Sequence, residues 1–245
     1  MLDILYPRHC ALCHEILTAK GAVCLSGEIR GEDPLICPGC RGRAVPVTEP
    51  KCKKCGKPLA VQEQEYCADC RRRPRYFEEG AGIFRYDDVM RVSMGYFKYR
   101  GRAEYAEFFG RELYRGSVRQ LERWQPDLLI PVPIHRSRMA ERGYNQAGLL
   151  AEQLSALSGI PDDQVSIRRK KRTAALKKQT PEQRRKSMYR VFAAKKGVRL
   201  PKRVVIVDDI YTTGSTANAL AKVLRQCGAE KVYFLTVCIG TGEKM

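Results

Sequence analysis

The chain has 245 residues, eleven of them cysteine, and a formal net charge of +18. That length suits one α/β domain of about 150 residues plus a smaller module. No apolar run approaches the ~20 residues of a membrane span, and no charged n-region with an apolar h-region opens the sequence, so neither membrane insertion nor a signal peptide is expected. A cytoplasmic protein whose cysteines bind metal, rather than pair as disulfides, fits these features.

The first 80 residues lack a core of their own but carry Cys10-x-x-Cys13, Cys37-x-x-Cys40, Cys52-x-x-Cys55 and Cys67-x-x-Cys70. Tetrahedral Zn²⁺ takes four thiolates, and each tight C-x-x-C turn supplies two of them. Sequential pairing gives one site from Cys10, Cys13, Cys37 and Cys40 and a second from Cys52, Cys55, Cys67 and Cys70. Interleaved pairing satisfies the same spacing. Four such pairs so close together argue against redox motifs. A double zinc ribbon over residues 1–78, with two structural Zn²⁺, is expected. Cys24 is left over, while Cys227 and Cys238 fall in apolar elements of the second module.

A charged linker from Arg71 to Glu79, with Pro74 inside it, separates the ribbon from residues 79–245. Residues 81–245 are expected to keep their own cooperative unfolding transition. Ala81–Tyr86 reads as a strand; Asp87–Lys98 and Ala103–Trp124 read as helices, with Tyr105, Phe109 and Leu113 at i, i+4, i+8. Asp127–Pro131 is a buried strand and Gly143–Leu157 a helix. A short strand begins at Val165–Ile167. Val204–Val207, helix 216–227 and Val232–Ile239 complete an alternation of strands and helices, which implies a parallel, Rossmann-like sheet. Ligands of such sheets bind beyond the strands' C-terminal ends.

Two segments between these elements carry charge. Past the 127–131 strand runs Pro131-Val-Pro-Ile-His-Arg-Ser-Arg-Met-Ala-Glu-Arg-Gly-Tyr-Asn-Gln146, where His135, Arg136, Arg138 and Arg142 suit a diphosphate. Residues 168–203 then hold sixteen Lys or Arg against the single acid Glu182, so +15 of the net charge lies in 36 residues. Such a block repels itself, is expected to be mobile and is drawn to polyanions. Arg168, Arg169, Lys170, Lys171 and Arg172 open it and are the candidate nucleic-acid contacts. Tyr189 and Phe192 are its only aromatics, too few for sequence readout.

The last motif is Val204-Val-Ile-Val-Asp-Asp-Ile-Tyr-Thr-Thr-Gly-Ser-Thr216. Four β-branched residues read as a strand buried on both faces, with Asp208 and Asp209 at its C-terminal end. The loop Thr212, Thr213, Gly214, Ser215, Thr216 leads into a helix whose unpaired amides and dipole favour phosphate. Carboxylates so near a phosphate suit neutral hydroxyls or a divalent cation such as Mg²⁺. A 5-phosphorylated ribose meets both requirements.

This stretch resembles the phosphoribosyl diphosphate (PRPP) signature of type I phosphoribosyltransferases. With the string Pro-Val-Pro-x-His-x-x-Arg-x-x-x-Arg-Gly-Tyr-Asn-Gln, Leu5-Tyr-Pro, Phe97-Lys-Tyr-Arg-Gly101 and the double zinc ribbon, the chain is similar to the ComF family of ComFC- and GntX-like proteins. The resemblance implies that Asp208 and Asp209 bind the ribose hydroxyls of PRPP with Mg²⁺. It gives Thr212–Thr216 the 5-phosphate, and His135, Arg136, Arg138 and Arg142 the diphosphate. It also makes the basic block a loop that closes over substrate, matched at Thr173, Arg184 and Phe192, with Ser187 where the family often has Asn. Two functions follow. One is a PRPP-binding protein of natural competence that handles single-stranded DNA at the cytoplasmic face of the membrane uptake complex, alongside a ComFA-type DNA-translocating ATPase. The other is an active phosphoribosyltransferase, unrelated to DNA uptake, whose acceptor the residues do not identify.

Overall fold

The computed structural model describes residues 7–17, 35–170 and 191–241. Cys24, Lys171, Arg172, Thr173, Arg184, Ser187 and Tyr189 lie outside the described residues.

The second module is built on strands β3 (Glu79–Arg85), β4 (Leu128–Pro131), β7 (Arg203–Tyr211) and β8 (Lys231–Ile239). They form one sheet in the order β3-β8-β7-β4, and every pairing is parallel. The expected Rossmann-like sheet is therefore present. The two central strands are almost wholly buried, which is why they read as unbroken apolar runs. Their register sets Val205 beside Tyr233 and Ile206 beside Phe234.

The main helices fall close to their expected positions: α2 (Asp88–Tyr99), α3 (Tyr105–Trp124), α5 (Gln146–Ser158) and α6 (Ser215–Gln226). Between β4 and α5 the chain forms a short helix, α4 (Arg136–Arg142), where the sequence suggested only a loop. β7 also runs further than Val207, because Ile210 and Tyr211 still pair with Cys238 and Ile239 of β8. Asp208 and Asp209 are thus inside the strand's last turns of pleat, not beyond its end. The basic block opens and closes on a small antiparallel pair, β5 (Ile167–Arg169) with β6 (Phe192–Ala194). Val165, expected to start that strand, is exposed instead.

The ribbon contains the hairpin β1 (Arg8–His9) and β2 (Ile16–Leu17), a 3₁₀ turn at Pro38–Cys40, and α1 (Ala68–Arg72). It does not stand apart. Cys10, Leu12, Leu35 and Cys40 pack into one apolar cluster with Phe109, Leu113, Leu150 and Val205. Cys52, Cys55 and Cys67 join the other cluster, with Phe77, Ile206, Leu220 and Phe234. Each half of the ribbon caps one face of the sheet. The charged stretch read as a separating linker is fastened down as well. The Tyr76 amide donates to Asn218 Oδ1 at 2.6 Å, Arg225 Nε donates to the Tyr76 carbonyl at 2.6 Å, and the Glu78 amide donates to the Val232 carbonyl at 2.7 Å. Among the described residues no helix is long and apolar enough to cross a membrane.

Candidate functional site: an acidic strand end over a phosphate loop, with two four-cysteine centres

The cysteines group sequentially. In each of the sets Cys10/Cys13/Cys37/Cys40 and Cys52/Cys55/Cys67/Cys70, the four sulfurs lie within 4.8 Å of one another. Cys13 Sγ and Cys37 Sγ are 3.6 Å apart, as are Cys55 Sγ and Cys67 Sγ. A tetrahedron with Zn–S of about 2.3 Å requires sulfurs roughly 3.8 Å apart, whereas a disulfide brings them to about 2.05 Å. Both sets fit zinc, and the interleaved pairing is ruled out. The knuckles are tight turns whose backbone closes on itself, as in the Gly56 amide donating to the Cys52 carbonyl at 2.8 Å and the Cys70 amide to the Cys67 carbonyl at 3.0 Å.

At the end of β7 the acidic pair meets a cation that the sequence did not single out. Asp209, only 9% exposed, is ion-paired to Lys98 Nζ at 3.0 Å. Burial alone would lower the Lys98 ammonium pKa, but the charge and hydrogen bond of Asp209, with Asp208 behind it, hold it above its ordinary value. Asp208 Oδ1 accepts from the Asp209 amide at 2.9 Å. Its carboxyl is pushed up to about 8, first by burial and then by the charge of Asp209.

Lys98 belongs to Phe97-Lys-Tyr-Arg-Gly101, and the fold explains why that string accompanies Arg142-Gly-Tyr-Asn-Gln146. Tyr144 Oη donates to the Phe97 carbonyl at 2.6 Å. Gln146 Nε2 reaches the Phe97 and Lys98 carbonyls at 3.4 and 3.5 Å, and Asn145 Nδ2 holds the Val132 carbonyl at 3.2 Å. The bonds of Tyr144 and Gln146 occupy orphan carbonyls at the end of α2, and Lys98 from that turn reaches the acids. The signal for Lys98 was a lysine inside a motif of otherwise unassigned purpose.

Below the acids, Thr212, Thr213, Gly214, Ser215 and Thr216 line a cleft of about 40 Å³ with Asp208. Gly214 caps α6 at φ +74, and a Cβ there would lie 2.1 Å from Tyr211 Oη, so only glycine fits. Thr213 Oγ1 and Ser215 Oγ are 2.9 Å apart. The first amides of α6 have no partner within the helix.

The candidate diphosphate cations divide. Arg136 and Arg138 are exposed on α4. His135 caps that helix, its Nδ1 accepting from the Ser137 amide at 3.2 Å. Arg142 is turned inward, donating to Gln146 Oε1 at 2.9 Å with its guanidinium 4.7 Å from the Tyr99 ring. Of the candidate nucleic-acid contacts, Arg168 and Lys170 are exposed. Arg169 lies over Phe192 at 5.6 Å and its charge reaches Asp208, so the base of the basic block stands on the acidic side of the cleft. Further along, Lys202 pairs with Glu230 at 3.1 Å and Arg203 with Asp127 at 2.8 Å. Part of the block's charge is thus neutralised within the fold.

Comparison with known proteins agrees with this arrangement. Residues 1–71 match the double zinc ribbon domain family and residues 120–244 the phosphoribosyl transferase domain family. The chain is 31% identical over 202 residues to competence protein F of Haemophilus influenzae, covering 80% of this chain and 87% of that protein. It is 30% identical over 202 residues to competence protein ComFC of Bacillus subtilis, covering 80% of each. It is also 30% identical over 210 residues to the DNA utilization protein YhgH of Escherichia coli O157:H7, covering 83% of this chain and 89% of that protein. Since these likenesses run through both the ribbon and the sheet, the chain belongs to the ComF family of phosphoribosyltransferase-domain proteins.

Proposed function

We propose that the protein binds PRPP with Mg²⁺ at the end of β7 and serves the uptake or use of DNA. The observation that carries the first half is Asp208 lining one cleft with the 212–216 loop, with Asp209 the next residue of β7. Ionised carboxylates accept hydrogen bonds from ribose hydroxyls, while backbone amides and hydroxyls at a helix start hold a phosphate. His135, Arg136 and Arg138 stand at the neighbouring strand end, where the diphosphate arm would extend. Mg²⁺ would be held between the acidic pair and the ligand's oxygens, and it supplies neutralisation of the diphosphate charge. If transfer occurs, this chain's part is to orient the sugar, to stabilise the departing diphosphate with cations and to exclude water beneath the basic segment.

The names of the relatives support the second half, and the charge of residues 168–203 gives it a physical basis. A Lys/Arg tract beside a phosphate cleft suits single-stranded DNA handled at the cytoplasmic face, with a ComFA-type translocase as the partner the resemblance implies. Calorimetric titration with PRPP and Mg²⁺ should give saturable one-site binding. Fluorescence anisotropy with a single-stranded oligonucleotide should give affinity falling by roughly 0.7 log units per log unit of salt for each phosphate neutralised. Glutamine at Arg168, Arg169, Lys170, Lys171 and Arg172 should flatten that slope. If it leaves the slope unchanged but removes PRPP binding, the block serves the sugar site alone and the DNA role fails; an active transferase with a separate acceptor then takes its place.

A further inference from the structure

The ribbon's second centre lies directly behind the phosphate loop. Gly56, in its first knuckle, packs so closely on β3 that a Cβ would be 2.6 Å from the Gly80 carbonyl oxygen. Phe77, fully buried, meets the Phe234 ring edge-on at 4.9 Å, and Tyr211 stacks flat on Phe234 at 4.5 Å. This aromatic stack carries the contact across the sheet. Tyr211 Oη ends up under Gly214, where a Cβ on that glycine would lie 2.1 Å from it.

Arg75 joins the two sides. Its Nη2 donates to the Thr213 carbonyl oxygen at 3.1 Å, and it stands on the segment that leaves Cys70, the last cysteine of the second centre. Its aromatic face contact is Phe77, 5.9 Å from the ring centroid. Zinc with four thiolates carries roughly two negative charges, an unfavourable neighbour for a phosphate. A guanidinium on the segment that joins them offsets part of that repulsion and, being rigid and forked, ties the loop carbonyl to the chain that leaves Cys70. The first centre lies elsewhere: Cys10, Cys37 and Cys40 belong to the cluster on the opposite face of the sheet, with Cys13 packed against it.

We propose that the Cys52/Cys55/Cys67/Cys70 centre positions the phosphate loop through Arg75, so that its geometry sets the affinity for the phosphorylated end of the ligand while the first centre does not. The inference rests on the assignment of residues 212–216 to a 5-phosphate. The test uses full-length protein with ribose 5-phosphate and, separately, Mg²⁺–diphosphate as calorimetric probes, with zinc content and Tm recorded. Arg75→Gln should weaken ribose 5-phosphate by about tenfold, the worth of one charged hydrogen bond. Diphosphate affinity should stay within about twofold, and Arg75→Lys should recover part of the loss. Unchanged ribose 5-phosphate affinity in Arg75→Gln overturns the proposal, as does an equal loss for both probes, which marks a merely structural role. Wild-type protein that binds neither PRPP nor ribose 5-phosphate removes the phosphate assignment itself. Should Arg75→Gln fail to fold, Cys70→His and Cys13→His decide, since histidine can keep the zinc. Weakening confined to Cys70→His supports the link, and weakening in both or in neither defeats it.

Discussion

Replacing Asp208 and Asp209 together with asparagine should abolish PRPP binding, yet the two single variants should differ sharply in their cost to the fold. Asp209 is the partner of Lys98, whose side chain is only 18% exposed. Asp209→Asn leaves that ammonium without its counter-charge in a low-dielectric setting. The cost should be about 2–3 kcal/mol, below the fully buried case because some solvent reaches the lysine. Lys98→Met combined with Asp209→Asn should regain most of that stability and none of the binding. Asp208→Asn should be benign. Its carboxyl is raised to about 8, so in the pH range from about 4 to 8 the folded chain holds a proton that the unfolded chain has lost. Stability due to this group therefore falls as pH rises through that window, and the amide removes the fall. Binding runs the other way. Ribose hydroxyls or Mg²⁺ need the ionised form, so PRPP affinity should climb toward pH 8 with about one proton released per ligand, read as a buffer-dependent heat. Asp208→Asn protein that still binds PRPP with wild-type affinity would show that the sugar lies elsewhere.

Much of this site was legible because its parts are local in sequence. A buried strand, two acids and a hydroxyl-rich loop before a helix follow one another over Val204–Thr216, and each step has a propensity that shows in the residues. The four C-x-x-C pairs are legible for the same reason. What stayed hidden is what the topology brings together. Lys98 sits more than a hundred positions from Asp209, at the end of a helix whose pattern records only its buried face. Its neighbours Tyr144 and Gln146 read as part of a phosphate-binding string, whereas their hydrogen bonds show them clamping Phe97 and Lys98. Arg75 lies in a charged stretch with Pro74, which composition alone assigns to a linker. Nothing in that composition shows that Asn218 Oδ1 receives the next amide. The reach of β7 through the acids to Tyr211 was missed because two carboxylates look like a strand terminus, while parallel pairing with β8 on one side is enough to continue it.

Shared cores change what zinc removal should do. From the sequence, loss of the ribbon is expected to leave residues 81–245 with their own transition; the packing argues for a single one. Ser93 Oγ donates to the Ala11 carbonyl beside the first centre, and His14 Nδ1 and Tyr105 Oη are 2.5 Å apart across the same boundary. Phe77 and Phe234 bind the second centre to the sheet's other face. Protein prepared without chelator should contain about two zinc ions per chain. Cys52→Ser with Cys55→Ser should cost stability on the order of the whole folding free energy, since a structural zinc supplies about 10–16 kcal/mol in small zinc modules and domains have about 5–15 in all. Because Cys55 shares a core cluster with Tyr211 and Phe234, the loss should appear in the near-ultraviolet dichroism of the sheet's tyrosines together with the far-ultraviolet signal. A biphasic curve, in which zinc and the ribbon depart first and an α/β unit then melts at its original temperature, would contradict the shared core. It would also make the contacts of Arg75 and Tyr211 dispensable to the phosphate loop, because the loop would then keep its shape with nothing behind it.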